Sequence, residues 1–450
     1  MTAAGIILAA GNGTRMKSNL PKMLHKVAGV ALVGHVVRIM RIAGIEDINV
    51  VVSSALAHSA ELHEALRWNV SRVKVSVQTE QLGTADALQA AYSEVAGADT
   101  IIVAPADVVL VTDVLVRQLL DHHITSNSLA TVLGARVDDP TGLGRIKLDD
   151  YGRPSAILEE HEADDQLLHS KLINTAWYCF DNHWIWEELD KVNAADTGEF
   201  YLPRVIASAA AKDLSGVVIS NDPDAGLGVN DKVQLSRVES IMRKRTNEAH
   251  MASGVTIDDP AATYIDVDVE IGADTTIRPG SHIGTRSVIG SGVVIGPNTQ
   301  IIGSRVGDNA IVDGARVLDS IVGEGASVGS NALVRHGTEL KPRSKVGNLT
   351  EIKNSVIGSD SSVSHFSYVG DAAVGENVNI GAGTITCNFD GKDKHRTVIE
   401  DDVLIGSSTM LIAPVTIGKA ARTGAGSVVR VDVMAGDTVA GVPAKSIKFS

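Results

Sequence analysis

The stretch IDVDVEIGADTTIRPGSHIGTRSVIGSGVVIGPNTQI (residues 265–301) carries an isoleucine at every sixth position. A second run keeps the same apolar spacing further along the chain, at Ile399, Ile405, Leu411, Ile417, Thr423 and Val429. Six-residue apolar repeats are typical of hexapeptide β-helices, in which short parallel strands stack their inward side chains in one core. The sequence therefore predicts a parallel β-helix for residues 253–450.

The six-residue register slips between Ile301 and Val306 and again across residues 346–380. We interpret both slips as loops or altered corners. A repeat fold of this kind buries a thin core and leaves flat faces exposed, so lateral association of several chains is expected.

Residues 1–228 follow a different pattern, in which β-branched apolar runs alternate with segments of helical periodicity such as residues 85–95. This alternation predicts a parallel sheet covered by helices on both faces. Residues 229–252 are rich in charge and place Val233, Val238, Ile241 and Met242 at roughly helical spacing, which predicts a connecting helix. The expected organisation is an α/β domain, a linker helix and a β-helix, over residues 1–228, 229–252 and 253–450.

Composition excludes several classes of function. The formal net charge of −14 over 450 residues argues against nucleic acid as a partner. The two cysteines, Cys179 and Cys387, are far apart, which favours reduced thiols over a disulfide framework or a zinc site. No segment approaches the roughly 18 apolar residues of a membrane span, and no basic leader precedes the first apolar run. We expect a cytoplasmic protein.

The stretch LAAGNGTRMKSNLPK (residues 8–22) indicates an anion-binding loop directly after an apolar strand. Gly11 and Gly13 would let backbone N–H groups approach phosphate oxygens, and Arg15 and Lys22 would neutralise their charge. Met16 stands where the dinucleotide fingerprint and the P-loop each require glycine, which disfavours both motifs. On these residues alone, a phosphate site and an ordinary turn are equal alternatives.

Asp107 follows the apolar run TIIVAPAD (residues 100–107) and should lie at the carboxyl end of a parallel strand, where open α/β sheets bind ligands. A carboxylate at that edge suits Mg²⁺, which takes few protein ligands and otherwise binds water and phosphate oxygens. A turn-capping role for Asp107 is the simpler alternative.

The chain resembles one family along essentially its whole length, the bacterial bifunctional N-acetylglucosamine-1-phosphate uridylyltransferases and glucosamine-1-phosphate N-acetyltransferases. The motifs of the first part are LAAGNGTRM, LPKML, QTEQLGTADAL, DPTGLGRI, EEH, NTA and GVNDKVQLSRVE. Those of the second part are GVTIDDPAATYID, KVGNLTEIK, SHFSYVGDA, VNIGAGTITCNFDG, IGSSTMLIAPVTIG and GAGSVV. The resemblance implies a Rossmann-like nucleotidyltransferase domain followed by a left-handed parallel β-helix, assembled as a homotrimer.

The resemblance also implies two transfers on the route to UDP-N-acetylglucosamine, a precursor of the cell envelope. First, the amino group of glucosamine 1-phosphate takes an acetyl group from acetyl-CoA. Then the phosphate of N-acetylglucosamine 1-phosphate attacks the α-phosphorus of UTP and releases pyrophosphate, with Mg²⁺ as cofactor. No protein nucleophile is implied; Arg15 and Lys22 would align and neutralise the phosphates.

The family's nucleotide site maps onto this sequence residue by residue. Its metal ligands match Asp107 and Asn230. Its uracil contacts match Gln78, Gly83 and Thr84. The amino-sugar contacts match Gly144, Glu160, Asn174 and Asn230. The complete implied nucleotide and sugar set is Leu8, Ala9, Gly11, Gly13, Arg15, Lys22, Gln78, Gly83, Thr84, Asp107, Gly144, Glu160, Asn174 and Asn230.

The family's acetyltransferase site maps onto the second part. His365 matches the general base, for which imidazole is suited because its ordinary pKa of about 6.5 lets it accept a proton near neutral pH. The residues that match the sugar-phosphate contacts are Arg335, Lys353, Tyr368, Asn379 and Lys394. Those that match the acetyl-CoA side are Ala382, Asn388, Phe389, Ser407 and Ala425. The polar insertion CNFDGKDKHRTV (residues 387–398) matches a loop that reaches a neighbouring subunit.

Several positions depart from the family's usual pattern. Pro105 and Ala106 precede Asp107 where Tyr-Gly is usual, and Pro203-Arg204 replace Thr-Asp. Phe389 replaces a Tyr, and His336 replaces a Pro. The family's C-terminal Arg for the phosphates of acetyl-CoA has no match in GVPAKSIKFS. Either Lys445 or Lys448 substitutes for it, or the affinity for acetyl-CoA is lower.

Two other functions are weighed against this bifunctional interpretation. One is a sugar-1-phosphate nucleotidylyltransferase whose β-helix serves only as a trimer scaffold. The other is a non-enzymatic assembly module, which leaves Asp107, Asn230 and His365 without explanation.

Overall fold

The computed structural model describes residues 2–66, 73–192 and 200–447. The chain divides into two compact units, Met1–Met242 and Arg243–Ser450. The boundary between the units lies inside the helix Lys232–Ala252, within the segment predicted as a linker. Within the described ranges, no helix has both the length and the apolar character needed to span a membrane.

The first unit is built around one mixed sheet. The strands of this unit are β1 Ala3–Leu8, β2 Lys26–Val27, β3 Val30–Ala31, β4 Asp47–Ser53, β5 Lys74–Gln78, β6 Thr100–Pro105, β7 Ala130–Arg136, β8 Arg145–Leu148, β9 Pro154–Leu158, β10 Leu172–Asp181 and β11 Ser215–Ser220. β2 and β3 pair only with each other, and the other strands belong to the main sheet. Its helices are α1 Leu32–Ile42, α2 Ala60–Leu66, α3 Thr84–Gln89, α4 Tyr92–Val95, α5 Asp113–Thr125, α6 Asp165–Leu168, α7 Trp184–Leu189, α8 Val205–Ala210 and α9 Lys232–Ala252, the last of which continues into the second unit. Short 3-10 turns occur at Thr14–Met16, Lys22–Leu24, Glu160–Glu162 and Leu202–Arg204.

The main sheet has the strand order β11-β7-β10-β6-β1-β4-β5. β1 runs parallel to β4 and to β6, as the alternating pattern predicts. The expectation of an entirely parallel sheet is wrong for β10, which is antiparallel to both β6 and β7. The reason is the connection before β10: it contains the hairpin β8–β9 and the four-residue α6, and no long crossover helix that would return the chain to the same edge.

Apolar patterning predicts the strands better than the helices. The interiors of β1, β4 and β6 are almost wholly buried. The helical segment at residues 85–95 forms two short helices, α3 and α4. In α9, Val238 is buried, but Val233 is 79% exposed, so the predicted apolar stripe does not extend to the start of that helix.

The second unit consists of short strands in three parallel stacks, with a 3-10 turn at Pro260–Ala262. The first stack contains Thr256–Ile257, Thr276–Ile277, Val294–Gly296, Ile311–Asp313, Ser327–Val328, Lys345–Val346, Ser362–Val363, Asn379–Ile380, Leu404–Ile405, Arg422–Thr423, Thr438–Ala440 and the antiparallel Lys445–Ser446. The second contains Tyr264–Ile265, His282–Ile283, Gln300–Ile302, Arg316–Leu318, Leu333–Arg335, Glu351–Lys353, Tyr368–Gly370, Ile385–Cys387, Met410–Ile412 and Val428–Val429. The third contains Glu270–Ile271, Val288–Ile289, Arg305–Val306, Ile321–Val322, Glu339–Leu340, Val356–Ile357, Ala372–Val374, Thr397–Ile399 and Val415–Ile417.

The six-residue repeat forms the core of this β-helix. Ile277 pairs with Ile295 and Ile283 with Ile301, and all four side chains are fully buried. Burial of one such side chain stabilises the fold by roughly 2 to 3 kcal/mol. Ile271 is the exception in the predicted register, since it is only partly buried near the first coil.

Both predicted slips of the repeat are changes at corners. Ile289 pairs with Val306, so the stack continues although the corner after Ile301 is one residue shorter. Val363 likewise pairs with Val346 and with Ile380 across the second slip. The strands therefore stay in register while the corners absorb the change in length.

Candidate active sites

A cavity of about 600 Å³ opens in the first unit at the carboxyl ends of β1, β5 and β6. Twelve of the fourteen nucleotide and sugar residues implied by the resemblance line it, namely Leu8, Ala9, Gly11, Gly13, Arg15, Lys22, Gln78, Gly83, Thr84, Asp107, Asn174 and Asn230. The loops that follow parallel strands meet at this edge, which is why residues distant in sequence converge.

Lys22 is the centre of the polar contacts in this cavity. Its ammonium forms an ion pair with Oδ2 of Asp107 and donates a hydrogen bond of 2.8 Å to Oδ1 of Asn230. The guanidinium of Arg15 donates to the same Asn230 oxygen at 3.0 Å. Both partners of the ion pair have side chains 18% exposed, so the charges are screened from bulk water but open to a ligand.

Met16 anchors the glycine-rich loop, and Gly13 allows its backbone conformation. Met16 is 1% exposed, so it anchors the loop in the core at the position where other phosphate motifs require glycine. Gly13 has φ 59°, and a Cβ there would lie 2.6 Å from Cβ of Lys22. A side chain at position 13 would therefore displace the residue on which the site is centred.

One contact that the sequence did not predict joins the two sides of this cavity. Nε2 of Gln81 donates a 2.7 Å hydrogen bond to the carbonyl of Ala10, linking the segment after β5 to the glycine-rich loop. Gln78, a predicted uracil contact, donates to the carbonyl of Gly83 at 3.1 Å and to Asp86 at 2.6 Å. Gln81 lies inside the quoted QTEQLGTADAL motif, which is the only sequence signal for it.

Two implied sugar contacts, Gly144 and Glu160, are not among the residues that line the cavity. Glu160 accepts a hydrogen bond from the N–H of Gly142 at 2.9 Å and pairs with the buried Arg145 at 3.4 Å. Its neighbour Glu159 lines the cavity instead. Glu159 caps the 3-10 turn that begins at Glu160, so the two side chains have different surroundings, and the motif EEH could not decide which glutamate faces the ligand.

The end of the cavity near Glu159 is formed by uncharged donors and a carboxyl group. Burial, with a contribution from the Glu162 carboxylate, raises the pKa of Glu159. Nδ2 of Asn174 donates a 2.7 Å hydrogen bond to the hydroxyl of Tyr178, and burial raises the pKa of Tyr178 well above its ordinary value. This end suits sugar hydroxyl and amide groups, whereas Lys22 and Arg15 suit phosphates.

The donor set around Lys22 also fits a divalent metal ion. Oδ2 of Asp107 and Oδ1 of Asn230 both lie in direct contact with one cationic nitrogen, so two oxygen ligands already converge on a single point. Oxygen ligands in small number are what Mg²⁺ takes from proteins that also supply substrate phosphates. Among the residues that the structure describes, there is no cluster of three or more His, Cys, Asp or Glu side chains that could hold a metal ion.

In the second unit, the outer face of the second stack gathers part of the implied sugar-phosphate set. Arg335 and Lys353 are neighbours on adjacent strands, and Glu351 is the neighbour of Tyr368. The guanidinium of Arg335 donates to Oε1 of Glu351 at 2.6 and 3.0 Å. Asn388 is buried beside this face.

A column of corners between the first and second stacks carries His365 and the small residues on the acetyl-CoA side. The carbonyl of His365 accepts from the N–H of Gly383, the carbonyl of Ala382 from that of Ser408, and the carbonyl of Ser407 from that of Gly426. Each corner therefore sits directly on the next, and Ala382, Ser407 and Ala425 follow His365 along the column. His365 is exposed and is one of the residues that line a groove of about 310 Å³.

Two implied sugar-phosphate residues lie elsewhere. Asn379 is exposed on the first stack, on the opposite side of the His365 corner from Tyr368. Lys394 is exposed in the insertion between the second and third stacks, where residues 389 and 394 form an isolated antiparallel bridge. One chain thus presents the implied set on two faces and a loop.

The residues that depart from the family pattern lie in several different surroundings. Pro203 lines the cavity of the first unit, and Phe389 is 59% exposed at the start of the insertion. Nδ1 of His336 lies 3.3 Å from Oδ2 of Asp319, at a corner that is remote in sequence from His365. Lys445 is in the last strand and is exposed, whereas Lys448 lies outside the described residues.

Comparison with known protein families agrees with the division of the chain into two units. Residues 5–163 match the MobA-like NTP transferase domain. Residues 268–303 match the bacterial transferase hexapeptide of six repeats, and residues 396–430 match the hexapeptide repeat of succinyl-transferase. With the three parallel stacks, these matches confirm a Rossmann-like nucleotidyltransferase fold followed by a left-handed parallel β-helix.

Curated relatives match nearly the whole chain under the name bifunctional protein GlmU. The protein from Syntrophomonas wolfei is 41% identical over 435 residues, which cover 96% of each chain. That from Heliobacterium modesticaldum is 44% identical over 437 residues, or 96% of this chain and 93% of the relative. That from an Exiguobacterium species is 44% identical over 438 residues, or 96% and 95%.

Proposed function

Because this chain belongs to the family of the bifunctional GlmU proteins, we propose that the cavity around Lys22 performs uridylyl transfer and that the corner at His365 performs acetyl transfer. The protein is a bifunctional transferase that makes UDP-N-acetylglucosamine from a sugar phosphate, a nucleotide and acetyl-CoA. The proposal divides these activities over residues 1–228 and 253–450, with 229–252 as the linker. The observation that carries it is the convergence of Asp107, Asn230 and Arg15 around the Lys22 ammonium.

In uridylyl transfer, a phosphate oxygen of N-acetylglucosamine 1-phosphate forms a bond to the α-phosphorus of UTP while the bond to pyrophosphate breaks. Lys22 and Arg15 hold the phosphates in line and neutralise the charge that develops on them. The cationic end of the cavity takes the triphosphate, and the end with Glu159, Asn174 and Tyr178 takes the sugar. No side chain forms a covalent bond in this reaction.

The nucleotidyltransferase unit uses a divalent metal ion, which we propose to be Mg²⁺ bound by Asp107 and Asn230. When bound, the ion supplies positive charge for the phosphate groups of the nucleotide. Lys22 then contacts the phosphates instead of bridging the two ligands, because a dication and an ammonium would repel each other at one point.

In acetyl transfer, the amine of glucosamine 1-phosphate attacks the thioester carbon of acetyl-CoA. Nε2 or Nδ1 of His365 takes the proton from that amine as the new C–N bond forms, and the C–S bond breaks to release CoA. Arg335 and Lys353 provide the cationic surface for the sugar phosphate. Ala382, Ser407 and Ala425 leave the corner column free of bulky side chains, which suits an extended pantetheine arm.

We propose a homotrimer, supported by the distribution of the implied ligands over two faces and a loop of one chain. In the proposed trimer, a substrate that contacts Tyr368, Asn379 and Lys394 together lies between faces of different copies. Light scattering after size exclusion tests this: a mass near three times 47.1 kDa supports the trimer, and a monomer that acetylates glucosamine 1-phosphate contradicts it. A cytoplasmic location is also proposed, supported by both cysteines being free thiols.

Two assays on one purified sample test the assignment of activities. With acetyl-CoA and glucosamine 1-phosphate but no UTP, free CoA thiol is expected. With UTP and N-acetylglucosamine 1-phosphate, pyrophosphate is expected, and EDTA should stop this second reaction alone until Mg²⁺ is restored. Pyrophosphate release without any thiol release would select the single-activity alternative, in which the β-helix is only a scaffold.

A further inference from the structure

Asp371 lies at the corner between the second and third stacks and contacts both ends of the insertion 387–398. Its Oδ2 accepts a hydrogen bond from Nδ2 of Asn388. Its backbone carbonyl accepts one of 3.2 Å from the N–H of Thr397. Asn388 and Thr397 mark where the chain leaves and rejoins the regular coil, so Asp371 closes the base of the loop from both sides.

Asp371 is also joined to the face that carries the proposed sugar-phosphate contacts. Its N–H donates to the carbonyl of Lys353 at 3.1 Å. Its other carboxylate oxygen, Oδ1, accepts a hydrogen bond of 2.6 Å from Nδ2 of Asn354. Both carboxylate oxygens are therefore engaged, one with the preceding corner between the second and third stacks and one with the loop.

The ring of Tyr368 completes this cluster. A Cβ at Gly370 would contact the hydroxyl of Tyr368 and would lie 2.9 Å from Nδ2 of Asn388. Tyr368 and Asn388 thus meet over the glycine that directly precedes Asp371. The carboxylate that holds Asn388 consequently borders two of the residues to which substrate contacts are assigned.

The tip of the loop is ordered by contacts of its own. Oδ1 of Asp390 accepts from the N–H groups of Lys392 and Asp393 at 2.8 Å, and Oδ2 contacts Nε2 of His395 at 2.7 Å. Lys394 lies in this tip. The tip is therefore held together by its own contacts, and it joins the coil through Asn388, whose carbonyl accepts from the N–H of His395 at 2.8 Å and whose side chain is held by Asp371.

We infer that Asp371 is a positioning residue for acetyl transfer: its carboxylate holds Asn388, and through it the loop that presents Lys394. The inference rests on the proposed function of the second unit. Hydrogen bonds to a carboxylate are stronger than those between neutral groups. A misplacement of about 1 Å in a group that orients substrate costs up to about a hundredfold in rate.

The corner geometry offers a matched set of variants. Asp371 has φ 52° and Asn354 has φ 46°, so glycine is tolerated by the backbone at both positions. Asp371→Gly removes the carboxylate but keeps the carbonyl that contacts Thr397. Asn354→Gly removes the partner of the other oxygen and leaves the bond to Asn388 intact. Asp371→Asn is the conservative variant, because asparagine also tolerates this φ and can still accept one hydrogen bond.

The first readout is trypsin cleavage of the full-length protein at Lys392, Lys394 and Arg396, followed by mass spectrometry. Asp371→Gly should raise the rate of cleavage in this loop about tenfold, the factor that corresponds to losing one hydrogen bond to a charged group. Asn354→Gly should cleave at the parent rate, and Asp371→Asn should lie between the two. Equal cleavage of the parent and Asp371→Gly would overturn the inference.

The second readout is the split between the two activities. Asp371→Gly should lower kcat/KM for glucosamine 1-phosphate about tenfold or more, with uridylyl transfer unchanged and Asp371→Asn partly restored. Parent-like acetyl transfer in Asp371→Gly overturns the positioning role. A parent protein that transfers no acetyl group at all is a separate result, which contradicts the proposed function rather than the contact between Asp371 and the loop.

Discussion

The ammonium of Lys22 donates a 2.8 Å hydrogen bond to the side-chain oxygen of Asn230, although the two residues are 208 positions apart. Lys22 begins a 3-10 turn after the glycine-rich loop, and Asn230 stands two residues before α9. The N–H of Asn230 donates to Oε1 of Gln234 in the first turn of that helix at 2.7 Å. The start of α9 therefore holds one metal-ligand candidate beside the residue that follows the glycine-rich loop.

Replacement of Asp107 by Asn should abolish uridylyl transfer and spare acetyl transfer. The variant removes the charge that pairs with Lys22 and one of the two oxygen ligands proposed for Mg²⁺. We expect pyrophosphate release to fall by at least about a hundredfold, the scale typical of losing an electrostatic contact at the reacting phosphate. Coupled detection of pyrophosphate measures this, with CoA thiol release from the same sample as the internal reference.

Asp113→Asn is the matched control for this experiment. Asp113 lies six residues further along, in the first turn of α5, and pairs with Arg117 on the surface. An exposed pair of this kind contributes little to stability, so the control should release pyrophosphate at the parent rate. Near-normal turnover in Asp107→Asn would contradict the metal assignment.

Glu159 and Glu160 should respond differently to replacement by Gln. Glu159 lines the cavity and caps the 3-10 turn Glu160–Glu162 with its side chain, whereas Glu160 does not line the cavity and contacts the N–H of Gly142 and Arg145. We expect Glu159→Gln to raise KM for N-acetylglucosamine 1-phosphate about tenfold, the effect of one lost hydrogen bond to a charged group. KM for UTP should change little. Steady-state kinetics with each substrate varied in turn decide between the two residues, and a larger effect from Glu160→Gln would restore the assignment made from the motif.

The first unit should lose stability as the pH falls below neutrality because of His123. This side chain is 3% exposed, and its Nδ1 lies 2.9 Å from Oγ1 of Thr131. Burial lowers the pKa of His123 to about 4; Asp181 raises it and His122 lowers it by smaller amounts. The unfolded chain binds a proton near pH 6.5, whereas the folded chain stays neutral, so stability is complete above pH 6.5 and declines down to pH 4.

The expected loss in the free energy of unfolding is about 2 kcal/mol between pH 7.5 and pH 5. All four tryptophans occur before residue 190, at Trp68, Trp177, Trp184 and Trp186, so tryptophan fluorescence follows the first unit selectively during urea unfolding. His123→Gln, which keeps a polar contact for Thr131 but does not titrate, should reduce the pH dependence. An identical pH dependence in this variant would show that other groups are responsible.

Addition of one methyl group at Gly370 should impair acetyl transfer. A Cβ there would lie 2.6 Å from Cζ of Tyr368, closer than carbon atoms approach each other in proteins. The Tyr368 ring must move, and the cluster with Asn388 is lost with it. We expect Gly370→Ala to lower kcat/KM for glucosamine 1-phosphate about tenfold or more, with uridylyl transfer unchanged. Parent-like acetylation would mean that Tyr368 does not need its present position.

Sequence periodicity was a good guide to the β-helix because every inward position obeys one physical requirement. Ile277, Ile295 and their neighbours must fill the same narrow core, so the repeat is visible in the amino acids themselves. The antiparallel β10 left no such signal. Its apolar run suits either direction, and direction was decided by the short connection before it.

The sites likewise contain some residues that the sequence could indicate and others that it could not. Arg15, Lys22 and Asp107 could be suspected from their positions after apolar strands, because the carboxyl edge of a sheet brings such residues together. The choice between Glu159 and Glu160 depended on where the 3-10 turn Glu160–Glu162 begins after β9, which no motif encodes. The role of Asp371 depends on contacts with Asn388 and Thr397, which lie at the two ends of an insertion that has no repeat.

Replacement of His365 by Ala should abolish acetyl transfer while leaving uridylyl transfer intact. The imidazole is exposed at a corner whose carbonyl contacts Gly383, directly beside the column of Ala382, Ser407 and Ala425. A general base in this position contributes about 10² to 10⁴ in rate, so release of CoA thiol should fall by at least about a hundredfold. His282→Ala is the matched control, since His282 is a half-exposed ring on the β-helix but lies in the second strand of the second stack, far from His365 in sequence. Loss of activity in both variants would indicate damage to the fold, and acetylation at the parent rate in His365→Ala would show that another group removes the proton from the amine.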